Sequence, residues 1–439
     1  MSVIDFTGSE TLPSESELES HFDRLWPILR SITGNGVRKT HDILAEIVPL
    51  ERMEVASGTK CFDWFVPDEW NVQEAYIETS DGERVVDVRD NNLHLVNYSI
   101  PFCGVLTRQE LDKNLHSLPD LPNAIPYVTS YYERRWGFCL SDHQRRLLPD
   151  QKYKVVIKTT LQPGSMTLSE AVLPGTSRQE ILISTYTCHP SMANNELSGP
   201  LSAMFLYRML SALKCRRFTY RFAFLPETIG SIVYLSKLGD HFRDVMHAGF
   251  VLTCLGDPTG ITYKRSRRGN SFADQAAQSV LANARDNESK ILDFFPSGSD
   301  ERQYCSPGFN LPVGVIARSW PAHYPEYHTS LDNKDCISFK TLQHSIQTIY
   351  QICLALELNQ SYRNLAPFGE PNLGRRGLMS TLGATIQKDI DVIAIKWLLN
   401  FSDGDHDLFQ ISNQSGLSVE SLAKAAHCLV ENELLEVIE

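Results

Sequence analysis

Imidazoles and carboxylates hold divalent metals and move protons, and here such groups follow several apolar runs. His189 lies in Thr187-Cys188-His189-Pro190-Ser191, directly after the run 181–186. Glu227 follows the run 220–225 in Pro226-Glu227-Thr228, and Asp257 follows 247–255 in Gly256-Asp257-Pro258. A loop holding His323, Glu326 and His328 comes after the run 312–318. Two imidazoles with carboxylates suit Zn²⁺, which takes nitrogen and oxygen ligands at about 2.0–2.2 Å. A glutamate nearby can take a proton from bound water. Singly, each residue has an ordinary explanation. A histidine after a strand is commonly a hydrogen-bonding residue, Glu227 can cap a helix beginning near Ile229, and an aspartate before proline is a frequent turn residue. Their convergence is the signal.

One site can collect these residues only if the runs are neighbouring strands, because ligands of open α/β sheets bind beyond the carboxyl ends of the strands. Over residues 151–360 the pattern predicts strands at 154–159, 180–186, 220–225, 247–255 and 312–318, and helices at 198–213, 231–237 and 338–356. Short apolar strands alternating with amphipathic helices imply a mainly parallel sheet covered on both faces. Residues 15–50 read as helices, with Ser14 and Glu17 spaced for a capping box. Residues 56–150 differ: the aromatic and β-branched runs 62–66, 70–76, 84–88 and 93–98, punctuated by Ser80-Asp81-Gly82, describe an inserted β-rich module. Residues 385–439 read as a helix at 390–401, a helix–turn–helix across Gly416 and a closing strand at 434–438, with Gly377 and Gly383 in the linker before them.

Composition bounds the function. The 439 residues suffice for two or three domains, and 42% hydrophobic with 21% charged residues describes a soluble globular chain. Basic residues number 41 against 53 acidic, a net charge of −12, which argues against nucleic-acid or anionic-membrane partners. From Asp391 to Glu439 there are nine acidic residues and two lysines, so the helix–turn–helix reads as a protein–protein or dimer contact rather than a DNA reader. No apolar run is long enough to span a membrane, and 1–20 carries no signal-peptide pattern. The ten cysteines are scattered without a CxxC pair, as expected of reduced thiols in the cytoplasm.

The segments resemble the zinc exopeptidases of the aminopeptidase type, which hold two co-catalytic metals in a doubly wound domain. The resemblance makes His189 the first ligand and places the metal-bridging carboxylate within Ala193-Asn194-Asn195-Glu196-Leu197-Ser198-Gly199. It aligns Pro226-Glu227-Thr228 with a Glu-Glu pair that supplies general base and ligand, and makes Asp257 and His328 the remaining ligands. Over nearly the whole chain there is a closer resemblance, to a bacterial aminopeptidase-like family with an inserted β-module and a winged-helix-like tail. It rests on Arg135-Trp136-Gly137-Phe138-Cys139, Cys188-His189-Pro190-Ser191, Gly298-Ser299-Asp300-Glu301-Arg302-Gln303-Tyr304 and Tyr327-His328-Thr329-Ser330-Leu331-Asp332, among other stretches. The layout it implies is an aminopeptidase-like α/β domain from 1–55 and 151–365, an insert at 56–150, and a linker with a winged-helix-like domain at 366–439.

Two departures matter. Asn195 stands where the bridging aspartate belongs and Thr228 where the second glutamate belongs, which removes two negative charges and favours one zinc over two. Glu196 is the nearest spare carboxylate, but one residue along a helix start rotates it by roughly 100°. The resemblance thus implies a zinc-dependent aminopeptidase-like hydrolase of a small peptide or amide. His189, His328, Asp257 and Asn195 form the ligand set and Glu227 is the general base. Asp300, Glu301, Arg302 and Tyr327 lie toward the substrate. Two alternatives stay open: a specialised amide-processing, amide-forming or cyclising enzyme of a biosynthetic pathway, and an inactive ligand- or protein-binding scaffold. Homo-oligomer contacts would use the C-terminal or inserted domain. The cluster Lys264-Arg265-Ser266-Arg267-Arg268 is read as a substrate-anion site or as internal ion pairs. Cys188 is set aside as a nucleophile, because neighbours leaving a strand point to opposite sides.

Overall fold

The structure is a computed structural model and describes residues 12–283, 288–378 and 392–438. The segment Glu180–Tyr186 is buried along its whole length, as an apolar run covered on both faces must be. It sits in an eight-stranded sheet. In chain order the strands are β1 (Glu51–Ala56), β2 (Ser165–Leu173), β3 (Glu180–Tyr186), β4 (Thr219–Leu225), β5 (Met246–Leu252), β6 (Thr262–Lys264), β7 (Lys290–Leu292) and β8 (Val313–Ala317). Their order across the sheet is β1-β2-β4-β3-β5-β8-β6-β7. The centre, β4-β3-β5-β8, is parallel, with Tyr186 level with Leu225 and Leu252 level with Ile316. The flanks are not: β1 and β2 run antiparallel to their inward neighbours, and β6 runs antiparallel to β8. The sheet is therefore mixed rather than mainly parallel. The added strands carry weak signals, since β1 is exposed at most positions and β6 and β7 have three residues each.

Side chains alternate between the two faces with period two. Ile181, Ile183, Phe222, Phe224, Phe250 and Leu252 join one apolar layer, while Leu182, Ala223, Leu225 and Val251 join the other. The first layer contains helices α1 (Glu15–Leu25), α3 (Ser198–Ser211), α5 (Phe272–Ala282) and α6 (Phe339–Leu358). The second contains α4 (Ile229–Val245), longer than the pattern alone predicts, and the core of the insert. A further helix, α2 (Asn35–Leu44), packs on the first layer. At the start of α1 the Ser14 hydroxyl accepts the Glu17 N–H at 3.2 Å, but the Glu17 carboxylate pairs with Arg208, so only half of the capping box forms.

The insert builds its own four-stranded antiparallel sheet from Glu69–Thr79, Arg84–Asp87, Phe102–Thr107 and Lys152–Gln162. The run 154–159 is indeed a strand, but its partners are Glu69–Thr79 and Phe102–Thr107, so it belongs here and not to the central sheet. The run 93–98 forms a 3₁₀ turn, Asn92–His94, and isolated bridges instead of a strand. At the C-terminal end, Ser361–Asn364, Asp403–Asp407 and Leu435–Ile438 form a small antiparallel sheet. It carries helices Val392–Phe401, Leu408–Ser415 and Val419–Glu431, and Gly416 at φ +71° ends the second of these in the left-handed region. Leu422, Ala425 and Leu429 extend the first apolar layer, so this unit shares a core with the central domain. Gly383, the start of the predicted helix at 390–391 and Glu439 lie outside the described residues. Among the described residues no helix is long and apolar enough to cross a membrane.

Candidate metal centre

Because β3, β4, β5 and β8 are parallel, the loops that follow them meet at one edge of the sheet. His189 and His328 meet there, with ring centroids 5.2 Å apart and planes inclined at 39°. The buried Arg30 guanidinium donates from Nε to the His189 carbonyl at 3.1 Å. Strained backbone surrounds the rings: His328 (φ +56°), Thr228 (+62°), Ser191 (+46°) and Cys254 (+49°) occupy the left-handed region. Such residues cost on the order of 1–3 kcal/mol each and collect at functional sites.

Burial holds both imidazoles far below the usual histidine range, at about 3 each, with the Arg30 charge adding to the shift at His189. Both rings are neutral and carry a lone pair. His189 Nδ1 lies 2.9 Å from Glu196 Oε2, and His189 Nε2 lies 3.5 Å from Glu227 Oε2. An Nδ1–H donated to the Glu196 carboxylate leaves the Nε2 lone pair facing Glu227, the tautomer that metal-binding histidines use. Burial pushes Glu196 up to about 8, opposed by Arg30, whose Nε is 3.8 Å from Glu196 Oε1. The sequence pattern separates Glu196 from the Asn195 position. The chain enters α3 through a π-turn, Ala193–Leu197, and the structure sets Glu196 behind His189.

Glu227 follows β4 and keeps 20% of its side chain exposed. Burial, and the Asp300 carboxylate beside it, push its acidity down. Ser299 Oγ donates to Glu227 Oε1 at 3.2 Å. Asp300 is fully buried, and its Oδ1 accepts the Thr228 N–H at 2.7 Å and the Ser231 hydroxyl at 3.1 Å. It thereby fastens the strained turn that carries Glu227.

The remaining residues divide. Asn195 donates from Nδ2 to the Tyr186 hydroxyl at 2.9 Å, and its backbone N–H is held by Asp332. Tyr327 stacks on His328 with centroids 3.9 Å apart. Arg302 donates to Thr228 Oγ1 at 3.0 Å. Asp257 is engaged elsewhere: its oxygens accept from Asn194 Nδ2, the Ser319 N–H and both donors of Thr259, so it orients the Asn194 side chain rather than meeting the imidazoles. Glu301 is fully buried against Lys264 Nζ at 2.5 Å and accepts the Ser299 N–H, which removes it from the substrate side. The basic cluster dissolves: Lys264 is internal, Arg265 bonds Gly269 and Gln278, and Arg267 and Arg268 bond Asn310. Cys188 corrects the opposite-sides expectation. The chain has left the strand after Tyr186, and Cys188 Sγ comes within 3.5 Å of His189 Nδ1. Burial raises its thiol well above the ordinary range, which disfavours the thiolate that a nucleophile needs.

Among the described residues, ligand atoms of Cys188, His189 and Glu196 lie within 4.8 Å of one another, a group that gathers at His189 Nδ1 and does not include His328. Among the described residues, His328 Nε2, Asn195 Oδ1, Glu196 Oε1 and Asp300 Oδ2 are buried polar atoms without a hydrogen-bond partner. Unsatisfied buried groups are rare in folded proteins, and each of these calls for a partner.

A mixed α/β sheet with polar loops at one edge, interrupted by a β-rich insert and followed by a winged helix, defines an aminopeptidase-like protein. The chain belongs to a bacterial aminopeptidase-like family: residues 20–359 match the family described as Domain of unknown function (DUF4910), and residues 360–437 match a winged helix-turn-helix. It is 44% identical over 422 residues, 96% of each chain, to a Clostridium acetobutylicum protein provisionally named for polysaccharide biosynthesis with an aminopeptidase-like domain. A crystal structure from Clostridium acetobutylicum, provisionally named a peptidase, superposes with a TM-score of 0.91 at 43% identity over 97% of this chain and 96% of that one. A zinc aminopeptidase of Bacillus subtilis shares the fold at a TM-score of 0.56 and 13% identity, over 78% of this chain and 95% of that one.

Proposed function

We propose that the protein is a metal-dependent hydrolase of aminopeptidase type, which cuts an amide bond of a small peptide or amide in the cytoplasm. The carrying observation is the pair of neutral imidazoles, His189 and His328, beside Glu227 at the edge of the sheet. His189 Nε2, His328 Nε2 and the Asn195 amide oxygen would hold one zinc, which when bound polarises the substrate carbonyl and acidifies water. Glu227 takes the proton from the attacking water and passes it to the leaving amine. Its raised proton affinity suits both halves of that transfer. Ser299 fixes one Glu227 oxygen, and Asp300, through Thr228, fixes the turn. The second Asp300 oxygen faces no hydrogen-bond donor and serves the substrate ammonium group. Arg302 and Tyr327 line the more exposed side and meet the rest of the substrate.

A survey of aminoacyl p-nitroanilides with zinc-supplemented protein is the direct test: release of p-nitroaniline, lost on chelation, is the expected result. Turnover of none of them would reject the general aminopeptidase. Asn195 and Thr228, which cut the negative charge for a second metal, favour a narrower form of this reading: a specialised amide substrate within a biosynthetic pathway, in keeping with the name of the Clostridium relative.

The same charge argument yields a prediction. Asn195→Asp restores an anionic donor and should raise zinc bound per chain at limiting metal, read by elemental analysis. Unchanged zinc content would take Asn195 out of the ligand set.

A further inference from the structure

We infer that the inserted β-rich module is a wall of the metal centre itself, with Tyr127 as the positioning residue that sets the two imidazoles; this rests on the metal reading above. Residues 125–130 thread between two loops as a short extended segment. On one side Tyr127 N–H donates to the His328 carbonyl at 2.9 Å, Ser330 N–H donates to the Ile125 carbonyl at 2.9 Å, Ile125 N–H donates to Ser330 Oγ at 3.0 Å, and Pro126 bridges Thr329. On the other side Asn97 N–H donates to the Val128 carbonyl and Ser130 N–H to the Asn97 carbonyl, each at 2.9 Å. The insert also reaches the His189 loop, where Asn92 Nδ2 donates to Ser191 Oγ at 2.8 Å, and the segment of Arg30, whose carbonyl accepts from Asn97 Nδ2 at 3.2 Å.

Two consequences follow. The backbone of His328, at φ +56°, is secured at its carbonyl, and at the Ser330 N–H just beyond, by the insert rather than by its own domain. The Tyr127 ring also meets both imidazoles, at 5.2 Å and 58° to His189 and 5.4 Å and 84° to His328. Its hydroxyl is tied to the Tyr131 hydroxyl at 2.6 Å, so the ring itself is braced. With Tyr327 stacked on His328, the imidazoles are packed by aromatic rings from separate parts of the chain, which limits their rotation. A metal site needs its ligands held within about 0.5 Å of working geometry, and packing of this kind supplies that.

The test uses the full chain and Co²⁺ as the probe, followed by its visible absorption bands and by titration. Tyr127→Ala should weaken Co²⁺ binding tenfold or more and change the bands. Tyr127→Phe keeps the ring and loses only the bond to Tyr131, so it should recover most of the affinity lost in Tyr127→Ala. Leu111→Ala, which hollows the insert core away from the imidazoles, should lower Tm and leave Co²⁺ binding unchanged. Unchanged binding and bands in Tyr127→Ala would overturn the inference, as would equal weakening in Leu111→Ala. Should the wild type take up no Co²⁺, the metal reading itself falls. The His189 and His328 ring signals of the metal-free protein, read by ¹⁵N-edited NMR, then decide: displaced in Tyr127→Ala and not in Leu111→Ala, they support a positioning role; undisplaced, they reject it.

Discussion

Glu227→Gln should lower kcat on any amide substrate of the protein by about 10²–10⁴-fold, the usual worth of a positioned general base, while zinc content stays at the wild-type level. The amide keeps the size of the carboxylate and can still accept from Ser299 Oγ, so the turn between β4 and α4 keeps its shape. What disappears is the ability to take a proton and return it to the leaving amine. Burial and the Asp300 carboxylate raise the proton affinity of Glu227, and glutamine has none to raise. Retained zinc with lost turnover assigns Glu227 to proton transfer. Retained zinc with full turnover would exclude it as the base, and loss of both would make it a ligand.

Glu196→Gln should weaken zinc binding by about 10–100-fold, the range typical when the partner behind a metal-binding histidine is removed. In the tautomer that metal binding uses, the Glu196 carboxylate accepts from His189 Nδ1, 2.9 Å away, and leaves the lone pair on Nε2. Where Glu196 is ionised, the same change also leaves the Arg30 charge, 3.8 Å away, buried without its counter-charge, and breaking a buried pair costs on the order of 3–5 kcal/mol. The two effects separate in a double variant. Arg30→Met with Glu196→Gln removes the stranded charge but also the bonds Arg30 gives to the His189 and Leu25 carbonyls, so it should regain part of the lost stability, read by chemical denaturation, yet not the zinc affinity. Affinity that returned together with stability would reduce Glu196 to a packing role.

The sequence made the central strands plain because each is a buried apolar run, and the residues behind them were legible for the same reason: loops after adjacent parallel strands share an edge. His189, Glu227 and His328 came from that rule together with the family resemblance. The flanking strands did not show, because β1 is mostly exposed and three-residue strands have no periodicity to read. Arg30, and the place of Glu196 behind His189, escaped for a different reason. Their effect depends on which way a π-turn rotates one side chain and on the approach of the loop between α1 and α2, distant in sequence, and spacing encodes neither. Tyr127 left no trace either, since its place depends on bridges to loops on both sides of it. Asp257 and Glu301 carried the right chemistry in the right loops, but Asn194, Ser319 and Thr259 engage the first and Lys264 the second, so residue type alone overstated them.

All of this depends on His189 and His328 gripping one cation between them. Purified protein, loaded with zinc and freed of excess, should carry about one zinc per chain by elemental analysis, and His189→Ala and His328→Ala should each fall far below that while remaining folded. A wild type without zinc, or variants that keep a full equivalent, would contradict it.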